Sequence, residues 1–176
     1  YTLLLALWLS VSAAVAQDYV KSRLQIELPE QVLIDSHGQE VAVADILQDQ
    51  QPVLLQFMFT TCPGICPALS ASFKAVQNDL AGQARLISIS IDPEHDTPSR
   101  LAEYARRFSA ASHWQFYTGS RKAIVSIQKA FAVYQDNKMR HNPVTFIILH
   151  DQCWQLEGFL SRQQLLTELR QLRDAV

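Results

Sequence analysis

The sequence is poor in glycine, proline and cysteine, and it has no excess of charge of either sign. Gly 5 and Pro 7 in 176 residues are too few for a collagen-like or linker-rich chain. The 15 basic and 17 acidic side chains give a formal net charge of -2, without the basic surface that nucleic-acid binding needs. Three cysteines exclude a scaffold held by disulfides, and 48% hydrophobic residues can form an ordinary core. We therefore expect one globular domain with no nucleic-acid partner.

Residues 1–16 have the composition of an export leader. They carry no charge, and they end in Ala14-Val15-Ala16, the small residues that a signal peptidase recognises. The run falls short of the roughly 20 apolar residues that a spanning helix needs, so a cleaved signal peptide is preferred over a membrane anchor. Either form predicts that the single domain, residues 17–176, lies in the periplasm or at the extracytoplasmic face of the inner membrane. Disulfides can form in that compartment.

Apolar strands that alternate with amphipathic helices predict an α/β fold. Residues 53–59 are a nearly continuous apolar run, typical of a central strand covered on both faces. Helical spacing follows at 68–80 and a second buried strand at 86–91, which together fit a β-α-β unit. We expect a central mixed sheet flanked by helices, with an unstructured start at 18–23 and an N-terminal β-hairpin. The hairpin strands are predicted at 24–28 and 32–34, further strands at 114–117, 143–149 and 153–159, and further helices at 98–108, 120–134 and 161–174.

Cys62 and Cys66 are the most reactive residue types in this pattern. They follow the first central strand, where a helix begins, and α/β sheets carry their functional sites at the carboxyl ends of strands. The positive end of the helix is expected to lower the pKa of the thiols. Thiols four residues apart can form a structural disulfide, exchange disulfides, or bind one metal ion, and the spacing leaves these alternatives open. If a metal binds, two thiolates with one imidazole favour copper, above all Cu(I), over a four-ligand zinc site.

The sequence offers 5 histidines for that imidazole. His141 lies in a loop just before the third long apolar strand and is the first candidate by placement. His95, in the loop after the second buried strand, is the next. Met139 is a soft thioether near His141, but we expect it to fill a gap in the loop. Cys153 begins a strand, and we expect it to be a small buried apolar residue.

Three motifs resemble the signatures of the Sco/SenC family. Residues 59–67 read FTTCPGICP, similar to the family's F-T-x-C-P-x-x-C-P. Residues 91–98 read IDPEHDTP, similar to D-P-x-x-D-T-P. The third signature is a histidine before an apolar strand with an aromatic residue five positions on, here His141 and Phe146. The motifs occur in the family's order, and the resemblance extends over residues 24–175.

The resemblance implies a thioredoxin-like fold and a copper metallochaperone that helps to assemble the copper centre of cytochrome c oxidase. Carried over, Cys62 and Cys66 are the thiolate ligands and His141 the imidazole ligand, while Asp92 and Asp96 shape the loop beside them. The implied partner is the copper-binding subunit of the oxidase or another copper or thiol protein, and we expect a monomer. Some members resemble thiol-disulfide reductases, so an oxidoreductase that uses Cys62 and Cys66 without metal is the alternative.

Overall fold

Residues 18–175 are described by the computed structural model, which has a mixed sheet with helices on both faces. In this part of the chain the strands are β1 Val20–Leu24, β2 Val32–Asp35, β3 Glu40–Ala42, β4 Val53–Met58, β5 Arg85–Ser90, β6 Trp114–Gly119, β7 Val144–Leu149 and β8 Gln152–Glu157. The helices are α1 Val43–Leu47, α2 Ile65–Val76, α3 Pro98–Arg107, α4 Arg121–Ala130 and α5 Arg162–Asp174, and a 3₁₀ turn spans Lys138–Arg140. The predicted fold class is confirmed.

The strand order places the ends of distant segments together. The order across the sheet is β1-β8-β7-β4-β5-β6-β2-β3. β4 pairs parallel with β5, as expected for the β-α-β unit, and antiparallel with β7. The carboxyl ends of β4 and β5 and the amino end of β7 therefore meet at one edge of the sheet. The two loops that follow β4 and β5 and the loop that precedes β7 all lie at this edge.

The centre of the sheet is covered on both faces, as its continuous apolar runs predict. All six residues of β4 are buried. Leu54 and Met58 pack into a cluster with residues of α2, α3 and α5, whereas Leu55 and Phe57 pack on the opposite face with residues of α1 and α4. A strand buried on both faces is a rigid base for the loop that follows it.

The N-terminal prediction is right for the strand at 32–34, which lies in β2, and wrong for the strand at 24–28. β1 includes residues expected to be unstructured, residues 25–28 are not strand, and β1 pairs with β8 at one edge of the sheet. An N-terminal hairpin is present, but β2 and β3 form it, and β2 pairs with β6 at the other end of the sheet. Asp35 closes its turn by accepting hydrogen bonds from the backbone N–H groups of His37 and Gln39, both at 2.8 Å.

Helix α4 ends four residues before the predicted end at Tyr134. Ala132 adopts a left-handed φ of 55°, and the N–H of Val133 donates to the carbonyl of Gln128, which closes the helix. Tyr134, the last residue of the predicted helix, lies beyond this end and is 37% exposed.

The leader expected at residues 1–16 lies outside the described residues. Among residues 18–175, no helix has both the length and the apolar character needed to cross a bilayer.

Candidate metal centre

The sheet edge brings Cys62, Cys66 and His141 together. The His141 Nε2 atom lies 3.6 Å from the Cys62 sulfur and 3.4 Å from the Cys66 sulfur. One ligand atom from each of the three residues lies within 4.8 Å of the other two. All three side chains are buried, with Cys66 fully enclosed and Cys62 and His141 each 8% exposed. Two sulfurs and one ring nitrogen thus face a common point just beneath the surface.

The first turn of α2 holds the two sulfurs. The helix begins at Ile65, three residues before the predicted start at 68, so it includes Cys66 but not Cys62. Gly64 at the N-cap offers no side-chain acceptor. The Cys62 sulfur takes that role, because the backbone N–H of Cys66 donates to it at 3.3 Å. The first N–H groups of a helix have no partner within the helix. One of them, that of Cys66, therefore holds the Cys62 sulfur in position.

Burial sets the protonation of the candidate ligands. Desolvation raises the pKa of Cys66 well above the usual thiol value, and a hydrogen bond with Cys62 adds to the increase. The predicted lowering of thiol pKa by the helix is therefore wrong for Cys66, since burial outweighs the helix end. Burial also lowers the pKa of His141, partly opposed by a backbone hydrogen bond at Asn142. A lowered pKa keeps the imidazole neutral at pH 7, the form in which its nitrogen can bind a metal.

The second motif, residues 91–98, holds the cysteine loop in place through hydrogen bonds. Asp96 is fully buried and accepts hydrogen bonds from the backbone N–H of Thr60, at 3.0 Å, and from the Thr60 hydroxyl. The Ser90 hydroxyl also donates to Asp96, and Ser90 in turn accepts the backbone N–H of Asp92 at 3.0 Å. The loop after β5 is thus tied to the residue two positions before Cys62, in the shaping role that the resemblance implies for Asp96.

An ion pair joins the same loop to the segment that carries His141. The Lys138 ammonium lies 2.5 Å from Asp92, whose side chain is 9% exposed, and also 5.3 Å from the ring centroid of Phe59. The Phe59 ring meets the His141 ring edge to face, with centroids 5.6 Å apart. Sequence reasoning did not identify Lys138 or Phe59 as positioning residues. Phe59 belongs to the first motif, but nothing in the sequence signals that Lys138 would pair with Asp92.

Other candidates from the sequence lie outside this cluster. His95 is 60% exposed at its side chain and lies near Asp92, with 3.5 Å between Nδ1 and Oδ1. Met139 is 53% exposed, so it does not fill a gap in the loop. Cys153 is fully buried in the core on the face of α1 and α4, as expected, and burial raises its pKa to about 12. Cys62, Cys66 and Cys153 are all free thiols.

Tyr104 is a neighbour of the site that sequence reasoning assigned only to a helix. Its hydroxyl lies 3.1 Å from Ser70, one turn after Cys66 on α2. Burial raises the pKa of Tyr104 to about 12, with smaller contributions from the Cys66 and Cys62 thiols. The phenol therefore stays neutral beside the first turns of α2.

The donor set limits the chemistry of the site. Two thiolates and a neutral imidazole match soft cations such as Cu(I), and the described residues add no fourth ligand that would complete a structural zinc site. The same pair of thiols, if a partner disulfide reached Cys62, could carry out thiol exchange. Both uses require that Cys62 and Cys66 be reduced.

Comparisons with known proteins agree with the motifs. The profile of a family described as SCO1/SenC matches residues 24–168. "Protein sco1" of Schizosaccharomyces pombe is 37% identical over 106 residues, which are 58% of this chain and 39% of that protein. The matching stretches cover 36% to 45% of the length of three curated relatives, so this chain corresponds to less than half of each.

Solved structures show the same fold. BsSco, described as a member of the Sco family of cytochrome c oxidase assembly proteins, superposes with a TM-score of 0.70 at 21% identity, covering 84% of this chain and 94% of that one. Arabidopsis thaliana ScoI with copper bound superposes with a TM-score of 0.65 at 22% identity, covering 87% and 98%. At these identities the likeness concerns the fold.

Proposed function

The chain belongs to the SCO1/SenC family, and from this premise we propose that it binds copper through Cys62, Cys66 and His141. It passes the ion on during assembly of the copper centre of cytochrome c oxidase. The observation that carries the proposal is the approach of His141 Nε2 to within 3.4 Å and 3.6 Å of the two sulfurs. Support also comes from the copper-bound structural neighbour and from BsSco, a member of a family of oxidase assembly proteins.

The site suits a carrier that releases its cargo. Three ligands leave Cu(I) open to attack by a further thiolate, so a partner can take the ion by exchanging ligands one at a time. Cys62 lies at the surface side of the site, next to exposed Thr61 and Pro63, whereas Cys66 is fully enclosed. The Cys62–copper bond is therefore the one that an incoming ligand reaches first. The partner is a copper-accepting protein, by family the copper-binding subunit of the oxidase.

The proposal places the protein outside the cytoplasm. It rests on the leader-like residues 1–16, whose apolar, uncharged run and small terminal residues favour export. Export to the periplasm or the outer face of the inner membrane would bring the chain to the compartment in which the oxidase copper centre is assembled.

Copper titration of the reduced protein tests the assignment. We expect one Cu(I) per chain in anaerobic competition with a chromophoric chelator. Loss of one ligand in Cys62→Ser, Cys66→Ser or His141→Ala should weaken binding about 10²–10³-fold. The scale is that of structural zinc sites, where roughly 10–16 kcal/mol shared among four ligands gives about 2.5–4 kcal/mol per ligand. Cys153→Ala is the matched control and should bind as the wild type does. Equal affinity of all four variants would contradict the proposal.

Thiol-disulfide exchange is the second candidate, favoured by the difference in burial between the two thiols. The Cys62 thiolate attacks a partner disulfide, and the Cys66 thiolate then attacks the mixed disulfide. The partner gains two electrons and two protons and leaves as a dithiol, while a Cys62–Cys66 disulfide forms. This activity needs no imidazole ligand, so His141→Ala should leave its rate nearly unchanged in the absence of copper. A copper carrier loses affinity in the same variant.

A further inference from the structure

An open cleft between the cysteine loop and α3 is rich in arginine. Its volume is about 750 Å³, and it begins at Thr60 and Thr61, immediately before Cys62. Its other wall is α3, which contributes Tyr104 and the charged side chains Arg100, Glu103, Arg106 and Arg107. We call this surface the arginine cleft. Because Tyr104 also lies beside the site, the cleft and the candidate metal centre share a wall.

The arginines of the cleft have no carboxylate partners. Within residues 18–175, Arg100, Arg106 and Arg107 form no salt bridge, and all three are exposed. Arg85 and Arg162, elsewhere on the fold, each pair with an aspartate. The cations of the cleft are therefore available to an external anionic group.

Three acidic residues around the same edge already have partners. Asp92 pairs with Lys138, and Glu94 pairs with Arg121. Asp96 accepts hydrogen bonds from Thr60 and Ser90 and is fully buried. The cleft itself has three arginines against the single acid Glu103, so it is positive in a chain whose formal net charge is -2.

Helix stability explains two of the arginines but not the third. Arg106 and Arg107 lie in the last turn of α3, where cations interact favourably with the helix dipole. Arg100 is the third residue of the helix, where a cation is unfavourable. It donates to the carbonyl of His95 at 2.9 Å, which holds the guanidinium against the loop after β5.

We infer that the arginine cleft docks an acidic polypeptide segment of the protein that exchanges copper with this site. The inference rests on the proposed function. A segment that binds along α3 reaches Thr60 and Thr61 and so brings its own thiolate beside Cys62. A polypeptide fits better than a flat anionic membrane, because the surface is a cleft and Glu103 lies within it. The net negative charge of the chain argues against nucleic acid.

Copper transfer to two designed peptides tests the inference. Both reduced peptides carry the same pair of cysteines, flanked by glutamates in one and by glutamines in the other. We expect the Cu(I)-loaded protein to transfer copper to the acidic peptide about threefold to tenfold faster at low salt, since charge steering acts on association rates. The advantage should disappear at about 0.5 M salt, where screening is strong.

Arginine variants locate the effect. Arg106→Gln together with Arg107→Gln should abolish the advantage of the acidic peptide, and Arg100→Gln alone should reduce it. The matched control is Arg170→Gln together with Arg173→Gln, which removes two charges from α5. Arg173 bonds Gln83, at the end of the sheet opposite the candidate metal centre, so the control should keep the advantage. Equal rates for both peptides with the wild type would overturn the inference.

A metal-free measurement separates failure of the cleft from failure of the copper proposal. The acidic peptide with serines in place of its cysteines is titrated into ¹⁵N-labelled reduced protein. Amide shifts at Thr60, Thr61 and α3 support docking even if the protein binds no copper. Absence of shifts there, or equal shifts with the glutamine peptide, would overturn it. Binding of the wild type to phosphatidylglycerol vesicles that is lost in Arg106→Gln/Arg107→Gln, without a peptide effect, would overturn it in favour of a lipid surface.

Discussion

Lys138→Met removes the cation that joins the His141 segment to the loop after β5. Methionine retains an unbranched apolar side chain against Phe59 but cannot pair with Asp92. An exposed ion pair contributes at most about 1 kcal/mol, whereas breaking a buried one costs about 3–5 kcal/mol. The side chains here are 37% exposed for Lys138 and 9% exposed for Asp92, between those limits. We therefore expect the free energy that favours the docked segment to fall by about 1–2 kcal/mol. The equilibrium constant between docked and undocked segment then falls by a factor of about 5–30.

The loss should appear as weaker copper binding. If the segment undocks, His141 leaves the two sulfurs and the binding-competent fraction falls, which lowers the apparent affinity by up to the same factor. Anaerobic Cu(I) competition measures the affinity, and X-ray absorption of the loaded protein measures the nitrogen ligand. Lys138→Arg should restore most of the affinity, because its guanidinium keeps the charge opposite Asp92.

Lys129→Met is the matched control for Lys138→Met. Lys129 also places an ammonium over an aromatic ring, 5.3 Å from the ring centroid of Tyr134, but on α4 and with no carboxylate partner among the described residues. It should bind copper as the wild type does. An affinity of Lys138→Met equal to that of Lys129→Met would refute the positioning role of the Lys138–Asp92 pair.

Three further predictions follow from buried groups. Because burial raises the pKa of Cys66, copper must displace its proton. The apparent Cu(I) affinity should therefore rise at least about tenfold per pH unit between about pH 7 and 8; a pH-independent chelator competition would contradict this. Asp96→Asn leaves the donors of Thr60 and Ser90 facing an amide, and urea unfolding should show a loss of about 1–3 kcal/mol; unchanged stability would count against the support role. Burial raises the pKa of Cys153 to about 12, so its contribution to stability is present below about pH 9 and is lost as pH rises toward 12. Cys153→Ala should therefore lose less unfolding free energy than the wild type between about pH 9 and 11 in urea titrations, and an equal loss would show that Cys153 does not titrate in this way.

The sequence predicts the central sheet well because its signals there are local. The apolar run of β4 is as long as a buried strand should be, and every residue of the strand is buried. Thr97 and Ser161 are N-caps of α3 and α5, where Thr97 accepts the N–H of Arg100 and Ser161 that of Gln164. These features depend on neighbours within a few residues, which a single sequence displays.

The edge strand β1 could not be predicted because distant residues hold it in place. Its sequence is polar, and Val20 is 68% exposed. Lys21 lies 2.6 Å from the buried Glu168 of α5 and over the ring of Trp154 in β8, and the Tyr19 hydroxyl also donates to Glu168. These partners are more than a hundred positions away in the sequence, so no local sequence pattern predicts the contacts.

In the candidate site too, features set by local sequence were predictable and features set by distant contacts were not. The motifs indicate Cys62 and Cys66 directly, and strand order explains why the loop of His141 reaches them. The exact start of α2 decides that the Cys62 sulfur caps the helix instead of lying within it. The Lys138–Asp92 pair crosses between two loops, and only the folded chain reveals it.

X-ray absorption of the reduced protein loaded with one equivalent of Cu(I) tests the central claim most directly. It counts the atoms bound to the metal and distinguishes sulfur from nitrogen. We expect two sulfur ligands and one imidazole nitrogen in the wild type, and loss of the nitrogen alone in His141→Ala. A copper site with no imidazole nitrogen in the wild type, or one unchanged by His141→Ala, would contradict the assignment of His141 and with it the three-ligand site.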